Sequence, residues 1–250
     1  MEIELIRSAT LRLKMAGQTL LIDPWLAAKG QGRSYRGALT SPLVDLPIPV
    51  EQVIYGIDAV LVSHLHSDHF DDVAKQLLPP DISLFCHPRD VAAIRGMGFS
   101  RVMGIESATQ LGDVRLETTD GQHGPPEVLA DMGDVSGFLL RAAGEPLLYW
   151  AGDTILCDAV RQVLVDHRPD VIVVHACGAE WNGCGPLVMD AAMVMEVLHL
   201  APQAMVIATH LDAVDHASVS RADLAAAAQR QVPEARARLY IPADGASLVF

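Results

Sequence analysis

The sequence predicts an α/β protein in which layered sheets are covered by helices. The first half of the chain is a succession of short strand-like runs, and the second half alternates strand-like and helical runs. The chain has 250 residues, of which 50% are apolar and 20% charged. That length can bury roughly 70–75% of the unfolded surface. We therefore predict one domain over residues 1–250.

The first half is predicted to be rich in strands. Apolar and alternating runs predict them at Glu2–Ile6, Thr10–Met15, Thr19–Ile22, Ala59–Val62, Ile82–Cys86, Val114–Thr118, Val135–Leu140 and Pro146–Trp150. Turn residues at Ala16-Gly17 and from Ala142 to Glu145 predict two hairpins. The Pro- and Gly-rich stretch Gly30–Pro49 predicts one long loop, and loops of that length are usually functional or mobile.

The second half is predicted to alternate helices with strands. Helical spacing covers Ile155–Asp166 and Asp190–Leu200, where Asp190 is placed to cap the helix. A capping-box variant that begins at Ser220 opens an Ala-rich helix. The strands between and after these helices are predicted at Val171–Val174, Met205–Ala208, Arg238–Ile241 and Ser247–Val249.

The composition argues against nucleic-acid and membrane partners. The chain carries 18 basic and 31 acidic residues, a net charge of −13, and no basic stretch of the kind that binds nucleic acid. No apolar run approaches the ~18–20 residues of a membrane span. Residues 1–4 lack the basic start and apolar core of a signal peptide. We expect a cytoplasmic protein that acts on a small molecule, without nucleic-acid or membrane partners, and the sequence leaves open a homo-oligomer.

A dense group of metal-binding residue types follows the fourth predicted strand. The segment 63–69, SHLHSDH, holds three histidines and one aspartate. If the strand continues, His64 and His66 point the same way and reach one ion, while Asp68 and His69 reach a second. Imidazole and carboxylate groups suit Zn²⁺ and its borderline neighbours. The alternative is a polar loop, which would bury unpaired polar groups at a cost of kilocalories each.

This spacing resembles the HxHxDH signature of the metallo-β-lactamase superfamily. The resemblance spans nearly the whole chain and includes the segments Leu21–Trp25, Gly121–Gly124, Ala151–Thr154 and Ala208–His210. It is greatest with the branch that contains the ascorbate-phosphate lactonases. The surroundings of His123 depart from the HTPGH form of other branches, which argues against the activities of those branches. The resemblance implies a four-layer αββα sandwich of two mixed sheets flanked by helices.

The resemblance also implies two divalent ions, Zn²⁺ first and Mn²⁺ or Fe²⁺ as alternatives. The implied ligands are His64, His66 and His123 for one ion, Asp68, His69 and His210 for the other, and Asp153 as the bridge. Three of these residues have structural alternatives. Asp153 could cap the following helix, His210 could be a core histidine, and His123 could lie in an exposed turn.

Other residues are candidates for contacting the substrate or the ligands. His175 ends a strand at the same sheet edge, and a structural role is its alternative. Arg33 and Arg36, with Tyr35, lie in the long loop and could recognise an anionic group. The remaining candidates are Asp23, in the segment before the signature, and His216, through Asp212 or Asp215. The roles of Cys177 and Cys184 stay open, with uninvolved thiols as the simpler interpretation.

The ligand set predicts hydrolysis. Five neutral histidines and two carboxylates against two divalent ions leave a net charge of +2, which favours a hydroxide and polarises a carbonyl. We expect a metal-dependent hydrolase in which a metal-bound hydroxide, oriented by Asp68, attacks an ester, lactone or related bond of a small molecule.

Three other functions are the alternatives. A phosphodiesterase of the same fold would need a basic groove, for which the composition gives little support. A flavodiiron-type oxidoreductase would usually have Glu at position 66 and a flavin domain. A non-catalytic metal-binding protein would usually have lost ligands.

Overall fold

The computed structural model describes residues 1–250. Its strands are β1 (Glu2–Arg7), β2 (Thr10–Met15), β3 (Gln18–Ile22), β4 (Ala59–Val62), β5 (Ser83–Cys86), β6 (Val102–Gly104), β7 (Ala108–Leu111), β8 (Val114–Asp120), β9 (Ser136–Arg141), β10 (Leu148–Trp150), β11 (Val171–His175), β12 (Met205–Thr209), β13 (Leu239–Tyr240) and β14 (Ser247–Val249). The helices are α1 (Val50–Ile54), α2 (Asp72–Leu77), α3 (Val91–Gly96), α4 (Leu129–Met132), α5 (Asp158–His167), α6 (Ala191–Leu200), α7 (Arg221–Ala228) and α8 (Pro233–Arg236). None of these helices is long and apolar enough to cross a lipid bilayer.

The strands form two mixed sheets of seven strands each, in the orders β14-β1-β2-β3-β4-β5-β6 and β13-β12-β11-β10-β9-β8-β7. In each sheet one part is antiparallel, and a run of four strands, β3–β6 or β10–β13, is parallel. Both predicted hairpins are present, between β2 and β3 and between β9 and β10. With helices on the outer faces, the predicted αββα sandwich is confirmed.

Three hydrophobic clusters fill the three interfaces between the four layers. Leu61 of β4 and Val173 of β11 point into the cluster between the two sheets. Val60 and Val62 point outward, into the cluster under α2 and α3. Ile172 points into the cluster under α5, α6 and α7. Because successive strand residues alternate between faces and both faces are covered, these strands are apolar throughout.

The observed helix caps show whether Asp153 caps a helix, an alternative that the sequence left open. The side chain of Asp190 accepts a hydrogen bond from the Met193 amide, and Ser220 forms a capping box with Asp223, so both predicted caps are confirmed. Helix α5, however, begins at Asp158, three residues later than predicted, with Cys157 at its cap position. Asp153 is therefore not the cap of that helix.

Several short elements were not predicted. Helices α1–α4 and α8 and strands β6 and β7 have three to six residues each. Such elements are too short to show a helical or strand period in the sequence, and they form because they cover the edges and faces of the sheets.

A buried arginine fixes both ends of the long loop. The Arg7 guanidinium donates hydrogen bonds to the carbonyl oxygens of Trp25 (2.8 Å), Ala27 (2.9 Å) and Val44 (3.1 Å), and it lies over the Trp25 ring at 5.0 Å. Burial lowers the pKa of Arg7 to about 10, against the opposing effect of the Asp71 carboxylate. The group stays charged at neutral pH, and it holds residues 25–27 beside residue 44.

Replacing Arg7 by alanine is expected to destabilise the fold. Arg7→Ala leaves three carbonyl oxygens without their donor, so the free energy of unfolding should fall by about 3 kcal/mol. Urea denaturation followed by circular dichroism measures this change. The control is Arg115→Ala, an exposed residue paired with Glu117, which should change stability by at most about 0.5 kcal/mol. Equal stability of the two variants would contradict a clamping role for Arg7.

Candidate metal centre

The seven residues predicted as metal ligands meet at one end of the sandwich. The ligand atoms of His64, His66 and His123 lie within 4.8 Å of one another, and so do those of a group that includes His69, Asp153 and His210. The seventh residue, Asp68, has its Oδ2 atom 3.6 Å from Nε2 of His210. The sandwich thus gathers residues that lie up to 146 positions apart in the sequence.

Asp153 lies between the two groups. Its Oδ2 atom is 3.1 Å from Nε2 of His69 and 3.5 Å from Nε2 of His123. The carboxylate follows β10, and only 3% of the residue is exposed. One oxygen atom therefore faces both sets of imidazoles.

The first two histidines converge for a different reason than predicted. Strand β4 ends at Val62, so the two-residue period of a strand does not apply to His64 and His66. Their ring centroids nevertheless lie 4.4 Å apart. The amides of His69 and Phe70 donate to the carbonyl oxygen of His66, and this turn brings the segment back on itself.

Asp23 orients one histidine of each group. Its Oδ2 atom is 2.6 Å from Nδ1 of His69 and accepts a hydrogen bond from the Ser63 hydroxyl at 2.7 Å. That hydroxyl lies 2.9 Å from Nδ1 of His64. Because Nδ1 of each ring is engaged, Nε2 is left to face the centre, as in the outer shells of known metal sites.

The other two buried histidines follow the same pattern. Nδ1 of His123 is 3.0 Å from the carbonyl oxygen of Leu187, and Nδ1 of His210 is 3.6 Å from Sγ of Cys177. His123 is 4% exposed, so it does not lie in an exposed turn. Cys177 thus contacts a predicted ligand, whereas Cys184 is exposed.

The donor set fits a divalent cation. Nε2 of His64 is buried and has no hydrogen-bond partner, although a buried nitrogen normally has one. Burial and the neighbouring His69 lower the pKa of His64 well below its ordinary value, so its lone pair is free to bind a metal. The nitrogen and oxygen donors suit Zn²⁺, Mn²⁺ or Fe²⁺.

The carboxylates give the centre a potential that favours cations. Burial raises the pKa of Asp153, but His69 and His210 outweigh it, and the pKa is well below its ordinary value. Burial likewise acts to lower the pKa of His69, yet Asp153 and Asp23 raise it to about 10. The ionised, buried carboxylate of Asp153 therefore attracts positive charge to this point.

A cavity of about 670 Å³ opens onto the centre. The metal-binding end of its lining includes His66, Asp68, His123, Asp153 and His210. Much of the remaining wall is apolar and contains Trp25, Leu65, Val73, Met132, Trp181 and Leu187. Sequence reasoning did not identify this apolar wall, because its residues come from five separate segments.

The long loop forms part of the cavity wall and is held by Asp215. This carboxylate accepts hydrogen bonds from the Ser34 hydroxyl (2.6 Å) and from the amides of Tyr35 (2.8 Å) and Arg36 (3.2 Å). The Tyr35 hydroxyl lies 2.7 Å from the hydroxyl of Ser67, inside the signature segment. Sequence reasoning missed the role of Asp215, since nothing in its local sequence indicates a loop 180 residues away.

The other residues predicted to contact the substrate or the ligands do not all reach the cavity. His175 is fully buried, and its Nδ1 atom is 2.5 Å from Oδ1 of Asp153. His216 lines the cavity with its ring 4.7 Å from that of Tyr35, and its Nδ1 is 4.0 Å from Asp215, too far for a hydrogen bond. Arg33 lines the cavity, whereas Arg36 is not on its lining.

The chain is similar to known proteins in sequence and in fold. Residues 18–211 match a family model described as "Beta-lactamase superfamily domain". The UPF0173 protein YddR of Bacillus subtilis strain 168 is 37% identical over the full length of both chains. A UPF0173 metal-dependent hydrolase of Azorhizobium caulinodans is 27% identical over 70% of this chain and 72% of its own. The crystal structure of an isothiocyanate hydrolase from Delia radicum gut bacteria superposes with a TM-score of 0.95 and 32% identity, over 100% of this chain and 99% of that one.

Removing the charge of Asp23 is expected to weaken metal binding. Asp23→Asn keeps the size of the side chain but takes away the carboxylate that orients His69 and, through Ser63, His64. The affinity for Zn²⁺ should fall by about 10–100-fold, as measured by equilibrium dialysis with elemental analysis. Asp113→Asn, in an exposed turn, is the control. Wild-type affinity in Asp23→Asn would show that the histidines are oriented without Asp23.

Removing the Asp215 carboxylate is expected to free the loop. Asp215→Ala removes the acceptor of several hydrogen bonds, each worth about 1 kcal/mol. Local opening should then be at least about tenfold more frequent. Limited trypsin digestion, which cuts after Arg33 and Arg36, measures this opening as a rate of cleavage. Asp212→Asn is a nearby control, because Asp212 pairs with Arg221 and not with the loop. Equal cleavage rates would contradict the anchoring role.

Proposed function

Since the chain belongs to the beta-lactamase superfamily, we propose that it catalyses the metal-dependent hydrolysis of a small, uncharged electrophile. The observation that carries the proposal is the position of the centre: two histidine groups share Asp153 at one end of a cavity that also has an apolar wall, which includes Trp25, Trp181 and Leu187. Enzyme sites typically combine such an apolar cavity with a few converging polar groups. The first substrate class is the isothiocyanates, followed by esters and lactones.

The proposed centre holds two divalent ions. The ligands are His64, His66 and His123 for the first ion, Asp68, His69 and His210 for the second, and Asp153 between them. An ion bound there supplies Lewis acidity, which polarises the electrophile and makes water acidic near neutral pH.

Asp68 is proposed to transfer a proton from the attacking water to the leaving group. Although burial raises the pKa of Asp68, the neighbouring His210 and His69 lower it far below its ordinary value, so the side chain is an ionised carboxylate at neutral pH. It lines the cavity beside the centre. We assign it the proton of the attacking water, which it then passes to the leaving nitrogen or oxygen atom.

The balance of the reaction is simple for an isothiocyanate. Water adds to the central carbon through a new C–O bond, and the C–N bond breaks. The nitrogen atom takes up both protons of the water and leaves as a primary amine, and the carbon leaves as carbonyl sulfide. In an ester or lactone the same attack releases an alcohol and a carboxylic acid.

The cavity wall beyond the centre suits an uncharged group better than an anionic one. Its lining includes four aspartates, namely Asp68, Asp71, Asp72 and Asp153, against two basic residues. One of those two, Lys75, is paired with Asp72 at 2.8 Å. Arg33 alone remains as a contact for an anion. Asp68 and Asp153 are assigned to the ions, so the wall beyond the centre offers a phosphodiester little further recognition of its negative charge. The apolar wall suits an aryl or alkyl group attached to the reacting carbon.

A substrate panel tests the proposal. The purified protein, loaded with Zn²⁺, Mn²⁺ or Fe²⁺, is offered benzyl isothiocyanate, a γ-lactone, p-nitrophenyl acetate and bis-(p-nitrophenyl) phosphate. We expect the isothiocyanate to be consumed fastest, as measured by its ultraviolet absorbance, and a chelator to abolish turnover. His66→Ala should lose at least about 100-fold in kcat/KM. His199→Ala, an exposed helix histidine, should retain full activity.

The other outcomes point to different functions. Turnover of the phosphodiester alone would assign a phosphodiesterase and contradict the preference for an uncharged substrate. Bound metal without turnover of any compound in the panel would favour a non-catalytic metal-binding protein.

A further inference from the structure

One buried histidine has no place in the proposed ligand set. His175 ends β11 and is fully buried against Trp150, with the two rings edge to face at a centroid distance of 5.0 Å. Its ring centroid also lies 5.0 Å from that of His210 and 5.6 Å from that of His69. Its Nε2 atom is buried without a hydrogen-bond partner. A fully buried polar ring next to the centre is costly unless its other nitrogen makes a strong contact.

That strong contact is with Asp153. Nδ1 of His175 lies 2.5 Å from Oδ1 of the carboxylate. The other oxygen, Oδ2, is the atom close to Nε2 of His69 (3.1 Å) and of His123 (3.5 Å). The two oxygens of Asp153 are thus divided. Oδ1 faces His175 and lies 3.9 Å from Nε2 of His210, whereas Oδ2 is the oxygen near one histidine of each group, His69 and His123.

His175 is not placed to be a ligand through Nδ1. A hydrogen bond of this length occupies the nitrogen and its proton, and a cation cannot share that position. Of the four residues in its group, His175 is the one whose Nδ1 is taken up by a carboxylate oxygen of the same group. It acts on the centre through Asp153.

A carboxylate near two cations has several binding modes. It can bind one ion with both oxygens, or join two ions through both oxygens or through one. A donor that holds Oδ1 occupies one of its lone pairs and fixes the carboxylate, so Oδ2 is the oxygen favoured for cations. Without that donor the carboxylate is free to turn toward the first ion alone, which already has three imidazole ligands.

We propose that His175 is a positioning residue that reserves Oδ1 of Asp153 and so makes Oδ2 the single oxygen shared by two cations. The inference rests on the two-ion centre of the proposed function. Its consequence is that His175 controls the binding of the second ion, on the side of His69 and His210, more than that of the first.

Two amide variants separate this role from a general structural one. The amide nitrogen of asparagine occupies the place of Nδ1 of histidine, and that of glutamine occupies the place of Nε2. His175→Asn therefore keeps a donor for Oδ1, whereas His175→Gln moves it away. Both variants bury an amide of similar polarity, and near-ultraviolet circular dichroism of the metal-free proteins checks that both are folded.

The experiment is a Mn²⁺ titration of the metal-free wild-type, His175→Asn and His175→Gln proteins. Equilibrium dialysis gives the two affinities, and electron paramagnetic resonance distinguishes a spin-coupled ion pair from an isolated ion. We expect the wild-type protein and His175→Asn to bind two coupled ions. His175→Gln should bind the first ion within about threefold of the wild-type affinity and the second about 10–100-fold more weakly, with the spectrum of an isolated ion.

Three results would overturn the inference. Two coupled ions in His175→Gln would show that the donor is unnecessary, and equal weakening of both ions would assign His175 a general structural role. A single ion in the wild-type protein would remove the two-ion centre itself. None of these readouts uses a substrate, so failure here is distinct from failure of the hydrolase proposal.

Discussion

The structure depends on a buried carboxylate at the meeting point of two sheets. Asp153 is almost fully buried, and a charge in that position is unfavourable by several kcal/mol unless positive charge or donors surround it. His69, His123 and His175 surround it on both oxygens. The chain reaches this position through Gly152, whose positive φ of +71° and contact with the Trp150 ring leave no room for a Cβ atom. The turn after β10, which requires glycine at position 152, therefore places the Asp153 carboxylate at the centre.

The parallel parts of the two sheets explain how the other groups arrive. The carboxyl ends of parallel strands lie at one edge, where side chains beyond the strands can converge. Asp23 follows β3, His64 follows β4, and His210 follows β12. The three hydrophobic clusters fix these strands, because close-packed interiors tolerate little displacement. The core thus keeps the histidines in place. Acceptors at Nδ1 set the direction of three rings: the Asp23 carboxylate for His69, the Ser63 hydroxyl for His64 and the Leu187 carbonyl oxygen for His123.

The cavity combines two environments that suit opposite ends of a substrate. In the proposed function, the centre binds and polarises the reacting group, and the apolar side chains of the wall accommodate an organic substituent. The long loop completes that wall because Arg7 holds its ends and Asp215 holds its middle. Both anchors lie outside the signature segments. The wall of the cavity therefore depends on contacts made far from the proposed ligands in the sequence.

The sequence by itself determined the fold class, the two hairpins, the caps at Asp190 and Ser220, and the seven residues that meet at the centre. These features have local signals: alternation along strands, capping residues, and a histidine-rich segment whose spacing resembles a known signature. Only the tertiary structure decided the partners of those residues. The division of the Asp153 oxygens, the link from Asp23 to two imidazoles and the anchoring of the loop by Asp215 join positions from 22 to 181 residues apart. Sequence spacing carries no information about such contacts, since the packing of two sheets sets the distances.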